Sequence, residues 1–249
     1  MKTLILAKRN LKEILRDPLS IIFCIIFPVI MLVLMSIIFK NIEFIPANFK
    51  IENYASGICV FGFTFIGMFV SIQIASDKNT SFNKRLNIAP INKFSYYFSF
   101  VLSALPIALI QEILFFAIAL IFGFPFNFNL FLSIIYLIPS ALFYICLGIL
   151  IGIICKNEKQ TGPISSIFIS IVGIFGGVFM PLSALSNNFA KILNILPFPH
   201  TVSIAADIQT LGAAAIYPHI IYILAYTALI ALTATIIELI KNKHRSTNY

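Results

Sequence analysis

The chain has 249 residues, of which 60% are hydrophobic and 10% are charged, with a net charge of +8. A soluble domain usually carries about 25% charged residues, so this composition excludes an ordinary globular protein and is typical of a protein that crosses a membrane several times. The positive charge does not indicate a nucleic-acid partner, because the cations are placed between long apolar runs. The four cysteines lie in or beside those runs without CxxC spacing, so neither a disulfide framework nor a zinc site is predicted.

Residues 1–17 are predicted to form an amphipathic helix on the membrane surface. Leu4, Ala7 and Leu11 recur at helical spacing, followed by Ile14 or Leu15. The cations of the segment lie elsewhere around the helix: Lys8, Arg9, Lys12 and Arg16. Cations beside an apolar face favour anionic headgroups, so we expect membrane lipid to contact this helix. The alternative is a helical flank of the first span that is positively charged for topological reasons only.

Six apolar runs follow, and each is long enough to cross the membrane as a helix. They occupy residues 19–39, 55–76, 95–122, 129–154, 161–185 and 216–240. An α-helix rises about 1.5 Å per residue and the hydrocarbon core is about 30 Å thick. We expect helices because a lipid-exposed backbone must satisfy its own hydrogen bonds. The sequence therefore predicts an all-α polytopic membrane protein with a single transmembrane domain over residues 1–249.

The positions of the lysines and arginines predict the orientation of the spans. Fourteen of the 17 fall in residues 1–17, 77–94 and 155–160 and in the C-terminal tail, whereas the other three are Lys40, Lys50 and Lys191. Loops rich in Lys and Arg remain on the cytoplasmic side. Both termini are therefore predicted to be cytoplasmic, which six spans permit.

Polar and aromatic residues inside the predicted spans are candidates for a translocation path. Gln111 and Glu112 lie within the third span, where a carboxylate is costly unless it faces protein or water. Two interpretations of Glu112 stay open, namely a residue of the substrate or proton path, or an acid that is protonated or hydrogen-bonded to a neighbouring helix. The other candidates lie in the fifth span: Phe168, Phe175, Phe179 and Met180.

The end of the fifth span and the residues after it depart from a regular helix. Glycine and proline interrupt this stretch at Gly176, Gly177, Pro181 and Pro197. A short amphipathic piece lies among them, and we expect Pro197 and Pro199 to close it, with His200 in the loop that follows. Irregular backbone at membrane depth is tolerated only where protein or water covers it. We therefore predict a short helical re-entrant element near the outer surface, which is a candidate gate.

The sequence lacks two motifs that would indicate an enzyme. There is neither a G-x-x-x-x-G-K-[ST] phosphate-binding loop nor a G-x-S-x-G serine nucleophile motif. The histidines His200, His219 and His244 are scattered, and none pairs with an acid at metal-ligand spacing. We therefore predict no catalytic, cofactor-binding or metal-binding residues in this chain.

Three stretches in order carry a family resemblance. They are KRNLKEILRDPLSIIFCIIFP (residues 8–28), SFNKRLNIAP (81–90) and FGGVFMPLSALSNNFAKILNILPFPH (175–200). By these stretches the whole chain resembles the ABC-2 type permease subunits of bacterial and archaeal ABC transporters, particularly the drug and antibiotic exporter branch. The first resembles the connecting helix of that family, the second its cytoplasmic motif before the third span, and the third the stretch after the fifth span.

The resemblance implies a role for the segment between the second and third spans. It would form a coupling helix that docks into a cleft on a separate ATP-binding subunit, with Lys84 and Arg85 pairing with acidic groups and Phe82 and Leu86 filling an apolar socket. The residues assigned to this ATPase-coupling segment are Asp77, Lys78, Phe82, Lys84, Arg85, Leu86 and Pro90. The alternative is a set of topological cations without a partner.

The resemblance also implies the remainder of a transporter. A second permease subunit, identical or different, would join this one, and ATP and Mg²⁺ would bind only to the partner ATPase. The function implied is export of an amphipathic drug-like or lipid-like molecule across the plasma membrane of a prokaryote. One departure from the family pattern is that Ser203 and Ala206 stand where members often carry an acid and an arginine, so a charged network near the outer loop is not assumed.

Two other functions stay open. One is a polysaccharide or glycolipid exporter of the same family, although the phenylalanines are dispersed rather than arrayed for sugar stacking. The other is a stand-alone secondary transporter driven by protons through Glu112. Such transporters are often built from inverted repeats, and residues 1–125 and 126–249 share no repeated motif, which disfavours this class.

Overall fold

The computed structural model describes residues 2–40, 50–88, 91–179 and 185–246, and these ranges contain helices and no β-strand. Helix α1 (Lys2–Arg16) is followed by α2 (Pro18–Ile21), a π-helical turn (Ile22–Ile26) and α3 (Phe27–Phe39), which form one continuous segment from Pro18 to Phe39. The next helices are α4 (Ile51–Asp77), α5 (Ser81–Ile88), α6 (Lys93–Ile121), α7 (Phe128–Ile154) and α8 (Glu158–Phe175). The last are α9 (Asn187–Leu193), α10 (Pro197–Thr210), a 3-10 turn (Ala213–Ile216) and α11 (Tyr217–Ser246).

Five segments of the described chain are long and apolar enough to cross a membrane. They are Pro18–Phe39, Ile51–Asp77, Lys93–Ile121, Phe128–Ile154 and Ala214–Lys241. The prediction of an all-α polytopic membrane protein is therefore confirmed. Five of the six predicted runs correspond to these segments, with ends that differ by a few residues.

The predicted fifth span, residues 161–185, differs from the helix found there. Helix α8 begins at Glu158, where the Asn157 side chain caps its first turn, and ends before Gly176. Gly177 then takes a positive φ of 86°, a backbone conformation that ends a helix readily. The 18 residues of α8 give a length of about 27 Å. Helix α8 is shorter than the five other segments, and its polar first turn makes it less apolar.

Helix α4 is the centre of the bundle. It packs against α3, α6, α7, α8 and α10, and its most apolar stretch is 89% buried, compared with 11% in the last span. The most extensive packing is with α7, where Gly148 faces Gly67. A Cβ atom added to either glycine would overlap backbone of the other helix, at the carbonyl of Gly67 or of Tyr144. The absence of side chains at both positions therefore lets the two backbones meet.

Helix α10 lies alongside the N-terminal half of α7 and runs in the opposite direction. The Thr201 hydroxyl is hydrogen-bonded to the Tyr144 hydroxyl at 2.9 Å. Further along α10, Gln209 donates to the Ser133 hydroxyl at 3.3 Å. Tyr144 is 11 residues after Ser133 in α7, so about 16 Å of helix separates the two levels. The start of α10 therefore lies deep between the spans, which is the position of a re-entrant helix.

The prediction that Pro197 and Pro199 close the short amphipathic piece after the fifth span was wrong. Pro197 and Pro199 begin α10 rather than closing the preceding piece, and Pro197 is the first helical residue. Proline is well suited to that place because the first N–H groups of a helix have no acceptor within it. His200 consequently lies in the first turn of a helix and not in a loop.

We expect Gly148→Ala to destabilise the protein. The added methyl overlaps the backbone of α4, and overpacking of this kind costs about 1–3 kcal/mol. Ile135→Ala is the matched control in the same helix, because Ile135 is 58% exposed on the outside of the bundle. Thermal unfolding in detergent, followed by gel filtration, should show a lower midpoint for Gly148→Ala alone. Equal midpoints for the two variants would contradict the close contact.

Candidate functional site at the basic end of the bundle

Side-chain contacts bring the ends of four spans together. Lys78, one residue beyond α4, and Lys241 of α11 both donate to the backbone carbonyl of Ile153 at the end of α7. Lys93, the first residue of α6, pairs with Glu238 of α11 at 2.9 Å. We call this end of the bundle, with α1 and α5, the basic end. The opposite end, where α7 and α11 begin, is the far end.

The ion pair between Arg9 of α1 and Asp77 of α4 lies at the centre of the basic end. The guanidinium contacts both carboxylate oxygens, because Nη1 donates to Oδ2 at 2.9 Å and Nη2 donates to Oδ1 at 2.5 Å. Burial acts to lower the pKa of Arg9, but the hydrogen bond and charge of Asp77, together with the charge of Glu13, outweigh burial and raise it. The Asp77 side chain is only 6% exposed, so solvent screens the pair weakly. This two-point geometry requires arginine, since lysine offers a single point charge.

Two further helices contribute to the surroundings of this pair. Tyr96 of α6 donates its hydroxyl to Asp77 Oδ2 at 2.8 Å. Phe82 of α5 lies beneath Arg9, with the guanidinium carbon 3.8 Å from the ring centroid, which is a cation–π contact. Glu13, one turn along α1, is a second carboxylate 2.9 Å from the same guanidinium. One arginine therefore joins α1, α4, α5 and α6.

Buried polar contacts continue the attachment of α1 to the bundle. Asn10 is fully buried and donates Nδ2 to the Ser99 hydroxyl of α6 at 2.9 Å. Gln73 of α4 donates to Glu13 at 2.8 Å. Buried hydrogen bonds of this kind fix the register of a helix, because an unmatched donor or acceptor is costly. The position of α1 is therefore specified by polar contacts and not by apolar packing alone.

The four cations predicted to lie around α1 divide into two groups. Lys8, Lys12 and Arg16 are exposed, whereas Arg9 is partly buried in its ion pair. The predicted apolar face is rotated in the structure, because Leu4 is 71% exposed while Asn10 lies in the contact with α6. The three exposed cations remain available to lipid headgroups or to a partner.

Lys78 is engaged within the chain. Its ammonium group donates to the carbonyl oxygens of Gly152, Ile153 and Cys155 at 2.5–2.8 Å. These carbonyls belong to the last turn of α7 and to the residue that caps it, where carbonyls have no partner within the helix. A cation at this place also complements the negative end of the helix dipole. Lys78 therefore fastens the end of α4 to the end of α7.

Helix α5 has a packed face and an exposed face. Phe82 contacts Arg9 and the ring of Tyr96, and Leu86 is 9% exposed in the core. Neither side chain is free to fill a socket on a partner, which corrects the role expected for both. Asp77, predicted in the same coupling segment, is likewise committed to contacts within the chain.

The exposed face of α5 carries Ser81, Arg85 and Ile88. Arg85 donates to the Ser81 hydroxyl at 3.3 Å, and Ile88 is 86% exposed. Sequence reasoning missed Ile88, although its spacing of seven from Ser81 and three from Arg85 places all three on one face. The side chain of Lys84 lies outside the described part of the molecule, as does all of Pro90.

The predicted translocation residues are not brought together. Gln111 is buried and donates Nε2 to the Cys59 carbonyl at 3.1 Å, in space that the absent side chain of Gly62 leaves open. Glu112 is fully buried, and neither of its oxygens has a hydrogen-bond partner among the residues that the structure describes. Phe168 lies elsewhere, in the contact among α4, α7 and α8.

The remaining candidates of the fifth span lie towards the far end. Phe175 contacts the ring of Phe189 on α9 at 5.7 Å, and Phe179 contacts Phe61 of α4 at 5.0 Å. Gly176 and Gly177 form the end of α8. Met180 and Pro181, which were also predicted to act here, lie outside the described residues.

The comparison with known families agrees with this architecture. The family model of the ABC-2 type transporter matches residues 1–210, which is most of the chain. No curated protein matches the sequence. The match spans α1, the Arg9–Asp77 contact, α5 and the re-entrant helix α10. This multi-pass membrane protein therefore belongs to the ABC-2 type transporter family, as a transport permease.

Proposed function

We propose that this chain is the membrane-spanning subunit of an ATP-driven exporter in the plasma membrane of a prokaryote, with both termini in the cytoplasm. The observation that carries the proposal is the joining of α1, α4, α5 and α6 through Arg9. Helix α5 contacts α1 and the span α6 on one face and is exposed on the other, so it is suited to receive movement from a partner. The basic end then faces the cytoplasm, in agreement with the distribution of cations.

The partner that fits this surface is an ABC ATP-binding subunit. The sequence has no phosphate-binding loop, so ATP and Mg²⁺ would be held by the partner. Arg85 and the exposed Ile88 suit a cleft that has an acidic rim and an apolar floor. Two permease subunits, identical or different, would act with two ATP-binding subunits, and each permease would contribute one α5.

The substrate class that we propose is an amphipathic drug-like or lipid-like molecule. A groove of about 510 Å³ lies between α6, α7 and α11 at the basic end. Its walls are largely apolar, with side chains such as Val101, Leu142 and Ile149, and the Lys93–Glu238 ion pair lies at one end. A molecule with an apolar body and a polar head matches this division of surface.

Two features favour an ATP-driven exporter of this kind over the alternatives. Glu112 has no hydrogen-bonding partner in the described chain, so it has no visible relay for a proton-driven carrier. Aromatic rings within the bundle pair with one another, for example Phe23 with Phe65 at 5.5 Å and Phe61 with Phe65 at 5.3 Å. Rings committed to each other are not arranged as a stacking surface for a glycan.

We expect the variant Arg85→Glu/Ile88→Glu to lose its ATP-binding partner. The substitution reverses the charge and removes the apolar anchor on the exposed face of α5, while Phe82 and Leu86 stay packed. The measurement is a pull-down of the tagged full chain from native membranes, with the co-purified ATPase quantified. Lys191→Glu/Ile192→Glu is the control, because it makes the same two changes on an exposed surface of α9.

Two results would contradict this docking surface. If both variants retain the ATPase equally, α5 is not the contact. If the wild-type chain brings down no ATPase, under detergent conditions that preserve other transporter complexes, the chain does not act with a separate ATP-binding subunit.

We expect Asp77→Asn to loosen α1 from the bundle. Arg9 then loses its buried counter-ion and keeps only the more exposed Glu13, and removal of one partner from a buried ion pair is strongly destabilising. Trypsin should cleave after Lys8 and Lys12 at least about tenfold faster, which corresponds to about 1.4 kcal/mol. Glu52→Gln removes one negative charge from the opposite end of α4 and serves as the control. Equal cleavage rates would show that the ion pair does not hold α1.

A further inference from the structure

A cluster of ionisable side chains joins the re-entrant helix α10 to α11. His200 Nδ1 is 2.6 Å from His219 Nδ1, and His219 Nε2 is 3.1 Å from a carboxylate oxygen of Asp207. His200 Nε2 is 2.8 Å from the backbone carbonyl of Asn194, and its ring stacks on Tyr222 at 4.6 Å. The cluster was not expected from the sequence, since the two histidines are 19 residues apart and Asp207 lies between them.

The partners determine how many protons the two imidazoles hold. The Asn194 carbonyl and the Asp207 carboxylate only accept, so each requires a proton on the facing ring nitrogen. The contact between the two Nδ1 atoms requires one proton, because two would repel and none would leave no hydrogen bond. These three contacts place three protons on four ring nitrogens. Two neutral imidazoles carry only two, so the pair carries one extra proton and a single positive charge.

We propose that His200 and His219 form a single-proton binding site that fastens α10 to α11, with Asp207 as its counter-ion. His219 carries the imidazolium form and donates from both nitrogens, to Asp207 and to His200. His200 is neutral, accepts at Nδ1 and donates from Nε2 to Asn194. The site does not depend on an ATPase.

The surroundings agree with this division of roles. His200 is 9% exposed, whereas the side chains of His219 and Asp207 are 23% and 26% exposed. Burial lowers the pKa of His200, the Asn194 carbonyl acts in the opposite direction, and the charge of His219 lowers it further. A positive charge on the more exposed ring, beside the carboxylate, is therefore the less costly arrangement.

Helices α7 and α4 meet α10 at residues other than His200. Helix α7 presents Tyr144, whose hydroxyl bonds to Thr201, and α4 approaches Val202 at Gly57. The 3-10 turn Ala213–Ile216 carries no titratable side chain. Helix α11 adds Tyr222, which stacks on the ring of His200. Within the described residues, Asp207 is thus the carboxylate that balances the pair.

Removal of the extra proton leaves two protons for three contacts. One contact then fails, either the hydrogen bond between the rings or the ion pair with Asp207, and the attachment of α10 to α11 weakens as the pH rises. Within the proposed topology the far end faces the outside of the cell, so the site would respond to external pH. That last step rests on the proposed function, whereas the proton count does not.

The test is nitrogen NMR of histidine side chains in the full-length chain, labelled at histidine and held in lipid nanodiscs. The chain has three histidines, so His244→Gln leaves only the signals of the pair. At neutral pH we expect one imidazolium and one neutral ring protonated at Nε2. Raising the pH should remove one proton from the pair in a single step.

Variants separate a shared proton from two unrelated histidines. Asp207→Asn should abolish the imidazolium signal at neutral pH, and His219→Gln should leave His200 neutral with its proton on Nε2. Tyr222→Phe is the control, because it keeps the stacked ring and changes no hydrogen bond in the count. Two rings that titrate independently, or an imidazolium that persists in Asp207→Asn, would overturn the proposal. Gel filtration of each variant separates loss of the proton from loss of the fold.

Discussion

The basic end of this protein depends on one ion pair, between the half-buried Arg9 and the buried Asp77. Taking two charges out of water is costly, and only good geometry with further hydrogen bonds compensates for that cost. Both conditions are met, because the guanidinium binds both carboxylate oxygens and Tyr96 supplies another donor. Phe82 completes the surroundings from beneath Arg9. The pair therefore specifies how α1, α4, α5 and α6 are placed relative to one another.

The rest of α4 connects this end with the other. Gly67 and Gly148 allow the backbones of α4 and α7 to meet, so the two spans are packed without flexible side chains between them. Lys78 fastens the ends of the same two helices. Towards the far end, α10 packs beside α7, and the contact between His200 and His219 joins it to α11. A movement at α5 thus has a continuous path of close contacts to α10.

The fold class and most spans could be predicted from the sequence because hydrophobic length and charge placement act over short stretches. The family was predictable from three ordered motifs. The roles within α5 were not, because which face of an isolated helix packs on its own chain depends on distant residues such as Arg9 and Tyr96. The link between His200 and Asp207 was also missed, since it is formed through His219 on another helix and no spacing within one segment indicates it.

The proposed function requires the helices joined by Arg9 to move as one body when the ATPase acts. Its most direct test is a distance measurement between spin labels at Lys12 and Ser81, both exposed, in the complete complex with and without ATP and Mg²⁺. The account predicts one unchanged distance between α1 and α5, while the distance between the two Ser81 positions of paired permease subunits changes. A distance between α1 and α5 that changes with nucleotide would contradict it.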